Sequence, residues 1–396
     1  MRVALIIKNL KHGGAERAMA RLSYILSDAG HEVFLILLSS KSIEYDYTGK
    51  LITLDSGIRK SIVGKIGNVI RRSRDLKKAK IIYNIEVAIS FLDTPNISNI
   101  LTKGKEKVLV SVRNYKSSED RGIYGLINKA MIKHLYPKSD NVIAVSEEIK
   151  NDLINNYKLK KDKIRVIYNP YDVDKISLKA TQKLNEEYEQ FYSNSRVIVT
   201  VGRLSRQKGY LNLIKSFVQI KKRYNDIKLV IVGDGEQENQ LRQLAKDMDI
   251  DKDVLFAGYQ ENPFNFIKSA DLYVMTSLFE GFPNAVVEAM ACSIPIISVD
   301  CKSGPREILY QKPDLGITAS KVELADYGII CPPFDEEENW DSKEITNSQM
   351  LFSSAIELLL NDNKLYSMYA SKAFERANHF SFEECKKRYN ELITGE

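Results

Sequence analysis

Residues 196–209 have the sequence RVIVTVGRLSRQKG. A largely apolar run ends at Gly202, and a polar loop then leads into a segment whose apolar residues have helical spacing. A buried strand, a glycine-containing loop and a helix, in that order, form the repeating unit of α/β domains. The amino terminus has the same order: RVALII at 2–7, a loop with two glycines, and a helix that we expect to stop at Gly30.

Strand-like segments of this kind recur along both halves of the chain. The first half has HEVFLILLS (31–39), VAISF (87–91), KVLVSVRN (107–114), NVIAVS (141–146) and KIRVIYNP (163–170). The second half has RVIVTVGRL (196–204), IKLVIVGDG (227–235), DVLFAGY (253–259), DLYVMTS (271–277), IPIISVD (294–300) and YGIICPP (327–333). Most are separated by stretches long enough for helices, the pattern of parallel sheets.

A polar stretch from Asn169 to about Ser195 interrupts this repeat and marks a domain boundary. The sequence therefore predicts an α/β chain with a first doubly wound domain over 1–170 and a second over 171–380. Residues 381–396 are predicted to form a helix, with packing back on the first domain as one possibility. Two such domains facing each other would leave a cleft at the carboxyl ends of their strands, where ligands bind in open α/β sheets.

Length and composition are those of a folded globular protein. The chain has 396 residues, 44% of them hydrophobic and 28% charged. No signal-peptide core precedes Lys8 and no later apolar run reaches about 18 residues, so we expect a cytoplasmic protein. The four cysteines lack CxxC spacing and the four histidines are scattered, so neither a disulfide framework nor a zinc site is expected.

Charge is distributed unevenly along the chain. Residues 1–170 contain 31 Lys and Arg against 17 Asp and Glu, whereas residues 171–396 contain 27 against 35. The first half therefore carries +14 and should face an anionic partner: nucleic acid, a membrane surface or a phosphorylated substrate. Residues 58–80 are basic and have Ile58, Ile62, Ile66, Val69 and Ile70 near helical spacing, which fits either a helix on an anionic membrane or an ordinary solvated helix.

Two glycine-containing loops are candidate phosphate sites. Arg203 and Lys208 follow the strand at 196–204, and two cations beside glycines suit a diphosphate, although a solvated charge cluster is the alternative. Gly13 and Gly14 lie between the first strand and the first helix, where they would either let backbone N–H groups approach an anion or supply a turn with positive φ. Without GxGxxG, a dinucleotide cofactor is disfavoured.

The segment FEGFPNAVVEAM, residues 279–290, contains two carboxylates eight positions apart. Glu280 lies in a predicted loop and Glu288 on a predicted helix that starts near Pro283. A carboxylate can accept bonds from two sugar hydroxyls, so Glu288 could hold a ribose and Glu280 the transferred group. The alternative is that Glu280 satisfies a local backbone donor and Glu288 pairs on the surface.

These residues resemble the E-x(7)-E signature of retaining glycosyltransferases with the GT-B architecture, in which two Rossmann-like domains face each other. The segments GGAERAM, VGRLSRQKG, IVGDGEQ and SGPREIL are similar to other landmarks of that family. The resemblance extends from Gly13 to about Leu309. It implies a nucleotide-sugar donor, most simply a UDP-sugar, with no metal and no further cofactor.

The resemblance also implies roles for individual residues. Arg203 and Lys208 would stabilise the departing nucleotide diphosphate, Glu288 would bind the ribose, and Glu280 would lie against the donor sugar and contribute to catalysis. The donor-binding set would comprise Gly14, Gly202, Gly281, Phe282, Pro283, Asn284 and Glu288. Attack on the face from which the leaving group departs would retain the anomeric configuration, and no enzyme nucleophile is assigned.

The acceptor side departs from the family pattern. Many relatives carry a histidine where this chain has Arg113 and Asn114. The SVRN form is closer to enzymes that add hexose or N-acetylhexosamine units to lipid-linked saccharides for surface polysaccharides, which implies a peripheral position on the inner face of the cell membrane. Arg113 could instead pair with Glu119 or Asp120.

Other functions fit parts of the same sequence. A GT-B hydrolase, epimerase or phosphorylase would share the fold, and a non-catalytic nucleotide-sugar sensor would need Arg203, Lys208 and Glu288 but not Glu280. A nucleic-acid-binding protein could use the +14 half, but no recognition motif and no interleaved stacking aromatics support it, so no nucleic-acid partner is expected.

Overall fold

The computed structural model describes residues 1–11, 13–38, 43–54, 62–119 and 122–395, except for the side chains of residues 62–70, 119, 123 and 124. The chain forms two compact units. Unit 1 contains Met1–Pro170 and Phe382–Glu396, and unit 2 contains Tyr171–Ser381.

Unit 1 is built on a parallel sheet. Its described strands are β1 (Arg2–Ile7), β2 (Glu32–Leu37), β3 (Lys50–Thr53), β4 (Val87–Phe91), β5 (Lys107–Val112), β6 (Asn141–Ala144) and β7 (Ile164–Val166). They lie in the order β3-β2-β1-β4-β5-β6-β7, and neighbours are parallel. The helices of unit 1 are α1 (Gly14–Asp28), α2 (Ile62–Ile82), α3 (Asp93–Leu101), α4 (Lys116–Glu119), α5 (Gly122–Leu135) and α6 (Glu147–Asn155).

Unit 2 repeats this architecture. Its described strands are β8 (Arg196–Val201), β9 (Ile227–Val232), β10 (Val254–Gly258), β11 (Leu272–Met275), β12 (Ile296–Val299), β13 (Glu323–Leu324) and β14 (Ile329–Cys331). Their order is β10-β9-β8-β11-β12-β14-β13, parallel except for the pair β13 and β14. Its helices are α7 (Val173–Ala180), α8 (Glu186–Tyr192), α9 (Tyr210–Lys221), α10 (Glu238–Asp247), α11 (Phe264–Lys268), α12 (Asn284–Ala291), α13 (Pro305–Leu309), α14 (Asn347–Asn361) and α15 (Asn363–Asn378).

One more helix, α16 (Phe382–Thr394), belongs to unit 1. Its buried residues Cys385, Tyr389 and Ile393 recur every four positions and join the core cluster that contains residues of β1 and α1. This spacing places the three side chains on one face of the helix. The core of unit 1 therefore includes residues that are far apart in sequence.

Both sheets change winding direction in the middle. In unit 1 the reversal lies between β1 and β4, and in unit 2 it lies between β8 and β11. Loops on either side of such a point diverge and leave a crevice at the carboxyl edge, which is where ligands bind in open α/β sheets. Two segments flank the switch point of unit 2. One follows β8 and contains Lys208, and the other follows β11 and contains Glu280.

The predicted α/β class is confirmed, and so is the end of the first helix, since α1 ends at Asp28 and Gly30 has φ +82°. Two short strands were not predicted. β3 is four residues long and only half-buried, and β13 has two residues at the sheet edge, so neither has a recognisable apolar run. In the predicted basic helix, residues 58–61 lie outside the described residues, as do the side chains as far as residue 70.

Candidate active site

Two loops meet at the switch point of unit 2. Because β8 and β11 are hydrogen-bonded neighbours, with Tyr273 opposite Val199, the segments that follow them emerge side by side at the carboxyl edge. The first loop carries Arg203 and Lys208 and passes through one turn of 3-10 helix at Arg206–Lys208. The second carries Glu280.

Lys208 and Glu280 are in direct contact. Lys208 Nζ lies 2.7 Å from Glu280 Oε1, and the hydroxyl of Ser277 donates to the same oxygen at 2.7 Å. The Glu280 side chain is 9% exposed and that of Lys208 is 25% exposed, so the pair is partly shielded from water but reachable from one side. The sequence predicted both residues in the site but not their contact.

Backbone contacts fix the two loops to each other. Leu278 N donates to the carbonyl of Gln207, and the Gln207 side chain donates to the carbonyl of Phe279. Gly209 has φ +65°, and a Cβ there would lie 2.1 Å from the carbonyl oxygen of Thr276. Only glycine fits this crossing, which holds Lys208 in position beside the second loop.

Gly202 leaves room for the Lys208 side chain. A Cβ at Gly202 would lie 2.9 Å from the hydroxyl oxygen of Tyr210 and 3.2 Å from Cε of Lys208. Tyr210 is 2% exposed and belongs to the core of unit 2, so its ring cannot easily move away. The loop that carries Arg203 and Lys208 therefore packs correctly only if residue 202 has no side chain.

Arg203 lies apart from this contact. Its side chain is 72% exposed and pairs with Glu236 at 3.1 Å, and Glu236 is itself 57% exposed. An ion pair as exposed as this contributes little to stability, so Arg203 can exchange it for another anion at low cost. Its predicted contact with a diphosphate stays a prediction.

Glu288 is buried inside unit 2. It lies on α12, is 2% exposed, and is therefore not the surface-paired residue of the alternative interpretation. Burial raises the pKa of Tyr273 well above its ordinary value, and the Glu280 and Glu288 carboxylates both add to this effect. Both carboxylates therefore act electrostatically on one buried tyrosine of β11.

The side chains of the residues between Glu280 and Glu288 have mainly structural roles. The ring of Phe282 is 4% exposed and packs edge-on against Phe380 with centroids 5.3 Å apart. Asn284 accepts a hydrogen bond from the hydroxyl of Tyr171 at 2.5 Å. Gly281 and Pro283 are buried. Predicted donor contacts at these positions would have to involve the backbone or the half-exposed Asn284.

A third segment, which contains Lys302 and Ser303, forms hydrogen bonds with the loop that carries Glu280. Glu280 N donates to the carbonyl of Lys302 at 2.6 Å, Ser303 N donates to the carbonyl of Glu280 at 3.0 Å, and the Ser303 hydroxyl donates to the carbonyl of Gly281 at 2.7 Å. Ser277 and Ser303 were not predicted as site residues. The sequence does contain a signal that could have identified them. Ser277 is a polar residue just after a buried strand, and Ser303 lies in the SGP segment.

The carboxyl edge of unit 1 holds the other predicted residues. α1 begins at Gly14, and Gly13 has an extended φ of 171°, so the alternative of a positive-φ turn is wrong. A Cβ at Gly13 would lie 2.1 Å from a carboxylate oxygen of Glu16. Burial raises the pKa of Glu16, while the nearby Arg113 and Lys8 act in the opposite direction.

Arg113 is held rigidly at the end of β5. It is 8% exposed, its guanidinium lies 4.2 Å from the ring centroid of Phe91, and it donates to the side chain of Asn169. Asn114 is half-buried beside it. The alternative partner Asp120 lies outside the described residues.

A further ion pair occupies the same edge. Lys116 Nζ lies 2.8 Å from a carboxylate oxygen of Asp93, the first residue of α3, and Asp93 also accepts from Tyr136 and Asn128. Sequence reasoning missed this group, since Asp93 and Lys116 are separated by a helix and a strand and no spacing connects them.

The described part of the chain offers neither a metal-binding cluster nor a membrane-spanning helix. No group of three or more His, Cys, Asp or Glu side chains there could hold a metal ion. No helix there has both the length and the apolar character needed to cross a bilayer.

Comparisons with known proteins agree on one family. Residues 12–175 match the model of Glycosyltransferase Family 4, and residues 181–314 match that of Glycosyl transferases group 1. An uncharacterised glycosyltransferase of Methanocaldococcus jannaschii is 32% identical over 83% of this chain and 84% of its own length.

A second relative is 28% identical over 96% of this chain and 95% of its own length. It is the N-acetylgalactosamine-N,N'-diacetylbacillosaminyl-diphospho-undecaprenol 4-alpha-N-acetylgalactosaminyltransferase of Campylobacter jejuni. Among solved structures, Anabaena HepE in complex with UDP and glucose superposes with a TM-score of 0.78 at 16% identity over the full length of both chains. At that identity the superposition supports the fold alone.

Proposed function

The chain belongs to the group 1 glycosyltransferases with the GT-B fold, and we propose that it moves a hexose or N-acetylhexosamine from a UDP-sugar to a lipid-linked saccharide. The contact between Lys208 and Glu280 at the switch point of unit 2 is the observation that carries this proposal. This contact supports the proposal because a cation and a carboxylate lie together at the carboxyl edge of the sheet, the edge at which ligands bind in open α/β sheets.

The cations would act on the leaving group. In the protein without donor, Glu280 neutralises Lys208. When a nucleotide diphosphate arrives, Lys208 Nζ can turn to a phosphate oxygen, and Arg203 can leave Glu236 to form a second charge-assisted contact. Fixed cations at this position stabilise the charge that develops as the sugar–phosphate bond breaks, so we propose that no metal is required.

The carboxylates would act on the donor. Once Lys208 has turned away, Glu280 can accept hydrogen bonds from hydroxyls of the sugar. Glu288 lies deeper and would bind the ribose hydroxyls. We further propose retention of the anomeric configuration, with the acceptor hydroxyl attacking the face from which the diphosphate departs.

The acceptor assignment draws on the relatives. Two Campylobacter jejuni relatives carry undecaprenol-linked substrates in their names, and a Staphylococcus aureus relative is named for capsular polysaccharide biosynthesis. The net charge of +14 in residues 1–170 suits a diphosphate-linked acceptor and an anionic membrane surface. We therefore propose that Arg113 and Asn114 contribute to the acceptor side and Gly14 to the diphosphate, with the enzyme peripheral on the inner face of the cell membrane.

Ligand-dependent thermal unfolding tests the donor site. We expect UDP to raise Tm and GDP, ADP and NAD to have less effect, with about 2.7 kcal/mol of stabilisation at a hundredfold excess over Kd. Lys208→Ala should abolish the UDP shift, whereas Lys222→Ala, at an exposed lysine just after α9, should keep it. A folded wild-type protein that responds to no nucleotide would contradict the proposal, and a response to GDP alone would change the donor.

A transfer assay tests the reaction. Incubation with a panel of UDP-sugars and an undecaprenyl-diphosphate-linked saccharide should yield an extended lipid-linked product. NMR of the new linkage should show the anomeric configuration of the donor. An inverted product would contradict retention, and sugar release without transfer would favour a hydrolase.

A further inference from the structure

Tyr210, the first residue of α9, carries a buried hydroxyl group. The residue is 2% exposed, and no hydrogen bond to another described residue satisfies its hydroxyl oxygen. Burial raises the pKa of Tyr210 and the nearby Thr200 side chain acts in the opposite direction, but no hydrogen bond joins the two hydroxyls. A buried hydroxyl without a partner costs free energy, so it is unusual in a native structure.

This hydroxyl lies beside the side chain of Lys208. A Cβ on Gly202 would lie 2.9 Å from the Tyr210 oxygen and 3.2 Å from Cε of Lys208, so the two atoms face the same point next to the glycine. The Cε atom carries the ammonium group, which lies 2.7 Å from Glu280 Oε1. Because the Tyr210 oxygen is close to Cε, rotation about the last bonds of the lysine side chain can bring the ammonium from Glu280 to that oxygen.

Glu280 and Tyr210 are different kinds of partner for Lys208. The Glu280 carboxylate adds to the effect of burial in raising the pKa of Tyr210, so the three groups share one electrostatic environment. As an ion-pair partner, Glu280 cancels the charge of the ammonium. A phenolic oxygen is a neutral acceptor, so it orients an ammonium group without removing its charge. A charge that is not cancelled in this way stabilises a departing diphosphate more strongly.

We propose that Tyr210 is a positioning residue for Lys208. When the donor binds, the Lys208 ammonium leaves Glu280 and donates one N–H to a phosphate oxygen and another to the Tyr210 hydroxyl oxygen. The ammonium then stays beside the leaving group with its charge intact, and Glu280 is released for the sugar. The hydroxyl gains the partner that it lacks in the donor-free protein, which favours the donor-bound arrangement. Because this step needs a diphosphate at the switch point of unit 2, it rests on the proposed function.

The variant Tyr210→Phe tests this role because it removes the hydroxyl and keeps the ring. We expect the dissociation constant of UDP, measured by isothermal titration calorimetry, to rise on the order of tenfold, the effect of one hydrogen bond to a charged group. The transfer rate at saturating UDP-sugar should also fall, because Lys208 is no longer held beside the departing diphosphate. In contrast, the urea midpoint of the donor-free protein should equal or exceed that of wild type, since no satisfied hydrogen bond is lost. The fluorescence of Trp340, which lies in unit 2, reports this midpoint.

Tyr369→Phe is the matched control. Tyr369 is also fully buried in unit 2, but its hydroxyl donates to the carbonyl of Ala325 at 3.0 Å. Loss of this hydroxyl should lower the urea midpoint and leave the dissociation constant of UDP unchanged, which is the reverse of the pattern expected for Tyr210→Phe. A lower urea midpoint, wild-type UDP affinity or a wild-type transfer rate in Tyr210→Phe would overturn the proposal.

Two further measurements identify the partner of the hydroxyl. If Thr200→Val weakened UDP binding as much as Tyr210→Phe, the hydroxyl would act through Thr200 and the proposal would be wrong. In protein labelled for NMR at Cζ of tyrosine, UDP should move the resonance that is missing from Tyr210→Phe, and an unchanged resonance would also overturn the proposal. A wild-type protein that does not bind UDP would refute both the proposed function and this role. UDP binding that Tyr210→Phe leaves intact would refute the role of Tyr210 alone.

Discussion

At the scale of single residues, Glu280 holds the central position because it contacts Lys208 and Ser277 through the same oxygen. Replacing Glu280 by Gln keeps the shape and leaves an oxygen that can accept both bonds, but removes the charge. We expect donor binding to persist and turnover to fall on the order of a hundredfold to a thousandfold.

Transfer rates measure turnover, and the UDP-induced Tm shift measures donor binding. The two effects of the substitution can therefore be separated. Glu187→Gln, at an exposed position of α8, is the matched control and should behave as wild type. If Glu280→Gln bound donor and turned over normally, the role assigned to Glu280 would be wrong.

Gly202 offers a test of the other loop, which carries Arg203 and Lys208. The Cβ of Gly202→Ala would lie too close to Tyr210 and Lys208, so we expect a loss of about 1–3 kcal/mol in the free energy of unfolding and weaker UDP binding. Removing the Tyr210 hydroxyl takes away the nearer clash. The double variant Gly202→Ala with Tyr210→Phe should therefore recover most of the loss in urea denaturation, and additive losses would show that the hydroxyl is not the obstacle.

Individual site residues were predictable to different degrees. The spacing of Glu280 and Glu288 and the cations after β8 were visible in the sequence because each motif is continuous. The contact between Lys208 and Glu280 depends on the pairing of β8 with β11, which no local pattern encodes. Asp93 and Lys116 were missed for the same reason.

At the scale of elements, a buried ion pair connects α2 to the segment before β5. Lys80 Nζ lies 2.7 Å from Glu106 Oε1, and the two side chains are 3% and 6% exposed. Burial lowers the pKa of Lys80 to about 8, although Glu106 acts to raise it. In the unfolded chain a lysine titrates near 10.4, so the unfolded state binds more protons between about pH 8 and 10.

Stability should therefore rise with pH in that window on account of Lys80. From pH 7 to pH 9 this contribution to the free energy of unfolding should grow by about 1 kcal/mol. The double variant Lys80→Met with Glu106→Gln lacks the contribution of Lys80 to the free energy of unfolding but keeps the other titrating groups of the protein. Urea denaturation of both proteins at pH 7, 8 and 9 should show the difference, whereas parallel pH profiles would contradict the lowered pKa of Lys80.

Elements themselves were the most predictable feature. Strands such as β4 and β8 are continuous apolar runs because both faces of a parallel sheet are covered, and this leaves a clear signal in the sequence. β3 and β13 are short edge strands whose formation depends on a neighbour already being present. The sequence of such a segment carries too little information to identify it.

At the scale of the whole molecule, α16 is part of the core of unit 1. Tyr389 is 2% exposed, and Tyr389→Ala should lower the stability of unit 1 by about 3–5 kcal/mol because it leaves a cavity. The only tryptophan, Trp340, lies in unit 2. The unfolding transition followed by circular dichroism should therefore shift to a lower urea concentration. The transition followed by tryptophan fluorescence should change less.

Leu358→Ala on α14, where Leu358 is 41% exposed, is the control and should have little effect. An unchanged circular dichroism transition in Tyr389→Ala would contradict a core role for α16. The helical face of Cys385, Tyr389 and Ile393 can be recognised in the sequence. The surface that covers it cannot, because amphipathicity identifies which side is buried but not the partner.

The membership of α16 in unit 1 also affects how the protein is made. Residues 171–381 are translated before α16, so the amino-terminal unit leaves the ribosome first but lacks three of its core side chains until later. At about 5–20 residues per second, the roughly 200 residues in between take about 10–40 s. During that interval the apolar surface beneath α16 is uncovered, and nascent chains should be captured by chaperones there until α16 emerges.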